Sequence, residues 1–146
     1  MAKQYRITGM TRFFNGLMGS LIWLGMMPAS MYLLTVRGRK SGRLYSTPVE
    51  PIEYGGERCL VSPYGAMNWV RIARAAGEVM LTKGGKSETL SIVELDAEHS
   101  APVLKAYLEQ QRMVRPYFDV TPESPIEAFT AEANKHPVFR LVPKPA

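Results

Sequence analysis

With 146 residues, 46% of them hydrophobic and 21% charged, the chain has the size and composition of one folded domain with its own core, not of a disordered segment. Eighteen Lys and Arg against thirteen Asp and Glu leave a net charge of +5, which points to an anionic partner: a phosphate ligand, nucleic acid or an acidic membrane surface. Cys59 is the sole cysteine, so no internal disulfide can form, and Cys59 with His99 and His136 is too small a set for a zinc site or a paired redox thiol. The expectation is a cytoplasmic protein without a metal.

The N-terminal third opens with Lys3, Arg6 and Arg12, followed by an uncharged run from Phe13 to Val36. Asn15, Gly16, Gly19, Ser20, Gly25, Pro28 and Ser30 interrupt that run, and no small-x-small cleavage pattern follows it. It therefore reads as an amphipathic helix, Met10 to Leu24, and not as a membrane span or a signal peptide. Phe13, Leu17, Leu21 and Leu24 form its apolar stripe, and Gly25 and Pro28 end it. The methionines Met10, Met18, Met26, Met27 and Met31 suit a core helix, or a deformable wall over a lipophilic acceptor. With the basic residues ahead of it, the same helix suits peripheral association with an anionic membrane surface. Residues 1–28 are thus assigned to this helix, and 29–146 to the body of a single domain.

Met31–Val36 is apolar enough for a central strand. A turn at Gly38–Gly42 leads into a strand from Leu44 to Tyr54, broken by Pro48 and Pro51, which places it at a sheet edge or at bulges. Gly55-Gly56 turns the chain into a returning strand, Arg58–Ser62. Asn68 is read as the N-cap of a helix to Ala76 closed by Gly77, and Glu78–Lys83 and Ser87–Leu95 pair around Gly84-Gly85. A longer helix over Asp96–Arg112 turns Val103, Leu104, Tyr107 and Leu108 inward. After a Pro-containing loop, Ser124-Pro125-Ile126-Glu127 reads as a capping box opening a short helix to about Asn134, and Val138–Val142 is a last strand. Antiparallel hairpins with few helices imply an α+β fold, a small barrel with helices packed outside.

The densest chemical signal is Arg37-Gly38-Arg39-Lys40-Ser41-Gly42-Arg43, where four of seven residues are cationic and two glycines let backbone N–H groups turn inward. Its spacing fits neither a Walker loop nor a dinucleotide fingerprint. The plain alternative is a solvated hairpin. Ser62-Pro63-Tyr64-Gly65 leads into Trp69-Val70-Arg71 at a helix start, a second place for an anion or a carbonyl; Trp69 could equally anchor the helix, and Arg71 and Arg74 could line a solvated face. Ser41 has no histidine beside it in the sequence, and Glu50 and Glu53 fall on opposite faces of a strand, so neither nucleophilic nor paired-carboxylate catalysis is expected. Aromatic residues do not interleave the basic turn, so nucleic acid is not the expected anion.

In order along the chain, residues 33–42 (Leu-Leu-Thr-Val-Arg-Gly-Arg-Lys-Ser-Gly), Pro48, residues 61–65 (Val-Ser-Pro-Tyr-Gly), Trp69-Val70-Arg71 and Ala75-Ala76-Gly77 resemble the nitroreductase-type deazaflavin-dependent oxidoreductases of actinobacteria. The resemblance runs over about residues 10–143. It implies a split β-barrel of the FMN-binding-like type, mainly antiparallel with peripheral helices, and coenzyme F420, a deazaflavin with a phosphate and a polyglutamate tail. It places the tail on Arg39, Lys40, Ser41 and Gly42, continued by Arg43 and Leu44 and aided by Arg37. It places the ring beside Ser62, Pro63 and Tyr64 and under the helix that carries Trp69, Val70 and Arg71. Tyr45 stands where many members have Arg, and Ile72 where Asn is common. The implied reaction is hydride transfer from reduced deazaflavin to a quinone, nitro compound or enone; the resemblance matches no C-terminal tyrosine of this chain to a role, and Tyr64, Tyr117 or water is the candidate to deliver the proton. The rivals are a split-barrel oxidoreductase using FMN and a non-catalytic carrier of deazaflavin or lipid. An oligomer is compatible with either.

Overall fold

The computed structural model describes residues 30–144. The N-terminal helix read over Met10–Leu24, with its lid and membrane roles, lies outside the described residues.

Seven strands form one antiparallel sheet: β1 (Tyr32–Arg37), β2 (Leu44–Val49), β3 (Ile52–Tyr54), β4 (Glu57–Val61), β5 (Glu78–Lys83), β6 (Lys86–Glu94) and β7 (Val138–Pro143). Their spatial order is β2-β1-β5-β6-β7-β4-β3. The two outermost strands, β2 and β3, are neighbours in sequence, joined only by Glu50 and Pro51. A flat seven-strand sheet would separate its edges by about 29 Å at 4.8 Å per strand. Three Cα steps from Val49 to Ile52 span at most about 11 Å. The sheet must therefore curl until its edges nearly meet, and it forms a split barrel. Pro48 and Pro51 fall where a missing N–H is tolerated, on or between those outer strands, as their presence in the sequence requires.

Period-two alternation divides the strands between two cores. On β4, Leu60 joins Leu34, Val36, Val79, Leu81, Leu90, Phe139 and Leu141 on one face. Its neighbours Cys59 and Val61 join Ile52 and Val138 on the other. Helix α1 (Asn68–Ala76) covers the first face with Val70 and Ala73. Helices α2 (Ala97–Gln110) and α3 (Ile126–Glu132) cover the second with Val103, Leu104, Tyr107, Leu108 and Phe129. Cys59 is buried, and burial raises its thiol pKa, which makes it inert packing.

Three sequence expectations about helix ends need correction. Asn68 is the first residue of α1, not its cap: Met67 holds the cap position without a side-chain bond, and Asn68 Oδ1 instead accepts from Arg71 Nη2. Ser124 caps nothing, because its hydroxyl accepts from Thr121 N and Pro125 occupies the cap position of α3. The loop expected after α2 holds a 3₁₀ segment, Arg112–Tyr117, in which Arg115 donates from Nε and Nη2 to the last carbonyls of α2 at Leu108 and Glu109. Asp96 does cap α2, accepting from His99 N at 2.9 Å.

Phe139 lies on β7, in the middle of the sheet, and is 1% exposed. Phe139→Ala is expected to cost about 3–5 kcal/mol in urea unfolding, whereas Met113→Ala, at a residue 90% exposed, stays within about 0.5 kcal/mol. Equal effects would refute the assignment of this core.

Candidate functional site

Because strand directions alternate across the sheet, the C-terminal ends of β1, β4 and β6 point to one rim. The basic turn after β1, the segment 62–67 after β4 and the junction of α1 with β5 all lie at that end. The two stretches singled out in the sequence are thus brought to one side of the barrel.

The turn is closed by its own backbone. Gly38 N–H donates to Arg43 O at 2.8 Å, Gly42 N–H to Gly38 O at 2.9 Å, and Arg43 N–H to Ser41 Oγ at 3.1 Å. Gly42 has φ of 70°, the left-handed region that a side chain with a Cβ avoids. Arg37 Nη1 donates to Gly42 O at 3.3 Å and braces the turn from its base. Arg39, Lys40 and Arg43 are exposed and have no ion pair among the described residues. Elsewhere Arg58, Arg74, Arg140, Lys135 and Lys144 each face a carboxylate: Glu88, Glu94, Glu57, Asp119 and Glu78. Four cations within seven residues, none of them in an ion pair among the described residues, make this turn attractive to a multiply charged anion. Leu44 is 57% exposed directly after it.

The second stretch is a tight loop. Ser62 is buried; its hydroxyl donates to Gly65 O and its N–H to Pro137 O, so it shapes the loop and its side chain has no surface for a ligand. Tyr64 sits exposed at the tip, with its ring edge-on to Tyr117 at 4.9 Å between centroids. The structure thus brings together the two tyrosines singled out as proton donors, from segments far apart in sequence. Tyr107 is buried nearby; burial, and then the charges of Tyr64 and Glu50, push its phenol well above the usual range, so it remains a hydroxyl. On α1, Trp69 is half-buried with its ring 5.9 Å from that of Phe139, an anchoring contact, and Arg71 is exposed. Val70 is fully buried and packs in the core, so its side chain cannot touch a cofactor. Tyr45 is 40% exposed on β2, and Ile72 packs against the α1 core.

A family model described as F420H(2)-dependent quinone reductase matches residues 5–121. The chain belongs to this family. It is accordingly an oxidoreductase. A solved F420-H2 dependent reductase (FDR-A) is 21% identical, with a TM-score of 0.53 over 79% of this chain and 96% of that one. A structure described as a domain-swapped dimer is 18% identical, with a TM-score of 0.56 over 91% of this chain and 99% of that one. A FAD-binding protein from Mesorhizobium loti is 12% identical, with a TM-score of 0.50 over 88% and 89%. At these identities the likeness establishes the split-barrel fold. No curated protein matches the chain. Among the described residues no helix is long and apolar enough to cross a membrane, and no three metal-ligating side chains cluster.

Sequence reasoning missed a buried polar pair beneath the tyrosine loop, His136 and Glu132, which are 3% and 4% exposed. Their i, i+4 spacing was legible, but their burial was not.

Gly42→Val places a β-branched residue at φ of 70° and is expected to lower stability by about 1–3 kcal/mol. An unchanged melting midpoint would show that the turn does not need this conformation.

Proposed function

We propose that this reductase uses F420H2 to reduce an electron-poor, lipophilic acceptor, a quinone in the first instance and a nitro compound or enone by the same chemistry. The observation that carries the reading is the turn of Arg39, Lys40 and Arg43, uncompensated among the described residues, at the same rim as the Tyr64–Tyr117 pair, in a member of an F420H(2)-dependent family.

The groups present fit such a cofactor. Arg39 and Arg43 offer planar forks for carboxylate and phosphate, Lys40 a point charge, and Leu44 an apolar shelf beside them. Bound reduced deazaflavin supplies the hydride. The chain's own residues bind the acidic tail, orient the ring beside Pro63 and Tyr64 and under α1, and hold a proton at a tyrosine hydroxyl for the reduced acceptor. Ser62 closes the loop, Trp69 fixes α1 to the barrel, and Arg71 adds charge at the helix start. Arg37 serves chiefly to brace the turn.

FMN is the second reading, since its single phosphate also suits the turn and a FAD-binding protein shares the fold; FMN lacks a tail long enough to use all three cations. A cytoplasmic reductase that associates into dimers is the setting we favour, given the neighbour described as a domain-swapped dimer. The membrane role assigned to residues 1–28 stays with a segment outside the described residues.

Fluorescence titration with F420 and with FMN tests the reading. F420 is expected to bind at micromolar concentration or below and FMN much more weakly; near-stoichiometric FMN in the purified protein would overturn it. Arg39→Ala and Lys40→Ala should each weaken F420 binding by roughly 1.5–3 kcal/mol at low salt, and the wild-type affinity should fall as salt rises. A double variant that binds as well as wild type would remove the tail from this turn. Tyr64→Phe with Tyr117→Phe is expected to lower quinone turnover by about 10²-fold with F420 affinity little changed; full turnover would give the proton to water.

A further inference from the structure

His136 is buried and touches the chain beside each member of the tyrosine pair. Its Nδ1 is 2.8 Å from the carbonyl oxygen of Pro63, the residue before Tyr64. Its ring stacks on Phe118, the residue after Tyr117, at 3.7 Å between centroids and 15° between planes. A carbonyl only accepts, so Nδ1 carries the hydrogen and donates it. Turning the ring over would put carbon where both nitrogens now have partners, so the orientation is fixed by its bonds.

The histidine is itself held. Glu132 Oε2 lies 2.8 Å from Nε2 and accepts from Asp119 N at 3.0 Å. Lys135 Nζ stands 3.5 Å from Glu132 Oε1 and 2.7 Å from Asp119 Oδ2. The backbone adds a second tie, since Ser62 N–H donates to Pro137 O at 2.8 Å. The segment 135–137 is thereby a floor on which the 62–65 loop rests, and a side chain added at Gly65 would meet Lys135 O at 3.6 Å.

We infer that His136 is a positioning residue: through one hydrogen bond to Pro63 and one stack on Phe118 it sets the distance between Tyr64 and Tyr117, with Glu132 holding its ring. The functional part of this inference rests on the proposed role of those tyrosines; the positioning part does not. Buried polar pairs of this kind specify geometry when every partner is satisfied, and displacement of a reacting group by about an ångström costs on the order of 10²-fold in rate.

The test compares Glu132→Gln, His136→Phe and the double Glu132→Leu/His136→Phe. In Glu132→Gln an amide nitrogen in the place of Oε2 can donate to Nε2, so Nδ1 keeps its bond to Pro63, at the cost of the bond that Asp119 N makes to that same atom. His136→Phe keeps the ring but strands a carboxylate, and the double variant removes that carboxylate so that the fold survives. In the cofactor-free wild type, NMR should show an exchange-protected His136 Nδ1–H and cross-relaxation between the Tyr64 and Tyr117 rings. Both should persist in Glu132→Gln, and the ring contact should vanish in the phenylalanine variants. With F420H2 and a quinone, the phenylalanine variants should lose about tenfold or more in kcat while cofactor affinity stays within about threefold, and Glu132→Gln should keep kcat within about threefold. An unprotected or absent Nδ1–H in wild type, or a tyrosine contact and kcat that survive in the double variant, would overturn the inference. If the wild type binds no F420 while the ring contact still depends on His136, the positioning stands and the proposed function falls.

Discussion

Two residues, Glu50 and Pro51, join the outermost strands of a seven-strand sheet, and the rest of the molecule follows from that short link. A sheet whose edges are tied within about 11 Å cannot lie flat; it curls, buries one core under α1 and another under α2 and α3, and turns alternate strand ends toward a common rim. Pro51 within the link has no N–H to give to a ladder, and Pro48 near the end of β2 lacks one too, so neither proline ties the corner to a neighbouring strand. The curl carries a basic turn at residue 40 and an aromatic loop at residue 64 to the same end of the barrel.

The division of labour at that end is physical. The basic turn is exposed and its cations extend toward solvent, where, under the proposed function, they meet a flexible acidic tail. The 62–65 loop is held by hydrogen bonds: the Ser62 hydroxyl donates across it to Gly65 O, and from below His136, itself bonded to Glu132, meets the Pro63 carbonyl. A long-range electrostatic attraction tolerates loose geometry, whereas proton delivery does not. The rigid part of the rim is accordingly the part nearest the tyrosines.

Much of this was legible in the residues. Pro48 and Pro51 signalled edge strands, paired glycines located the hairpins, and Gly77 marked the end of α1, because each reflects a local backbone requirement. The helix starts at Asn68 and Ser124 were misread because a capping side chain must compete with other acceptors and donors: Asn68 was taken by Arg71 and Ser124 by Thr121. Arg112–Tyr117 escaped because a 3₁₀ turn braced by Arg115 to carbonyls of the preceding helix has no periodic signature. Val70 looked like a site residue by its place beside Trp69, yet the helix turns it fully into the core. The i, i+4 spacing of His136 and Glu132 was legible, but the burial of His136 was not, since its other partners are a carbonyl 73 residues away and a ring in another segment. Local rules name elements; only the tertiary fold names what a buried polar group touches.

Under the proposed function, one rim of the barrel holds a deazaflavin by its charged tail and presents its ring to the tyrosine loop. A crystal structure of the protein with F420 tests it most directly. The tail is expected against Arg39, Lys40 and Arg43, with the ring beside Pro63 and the Tyr64–Tyr117 pair. A tail bound elsewhere on the barrel, or a ring remote from residues 62–67, would contradict it.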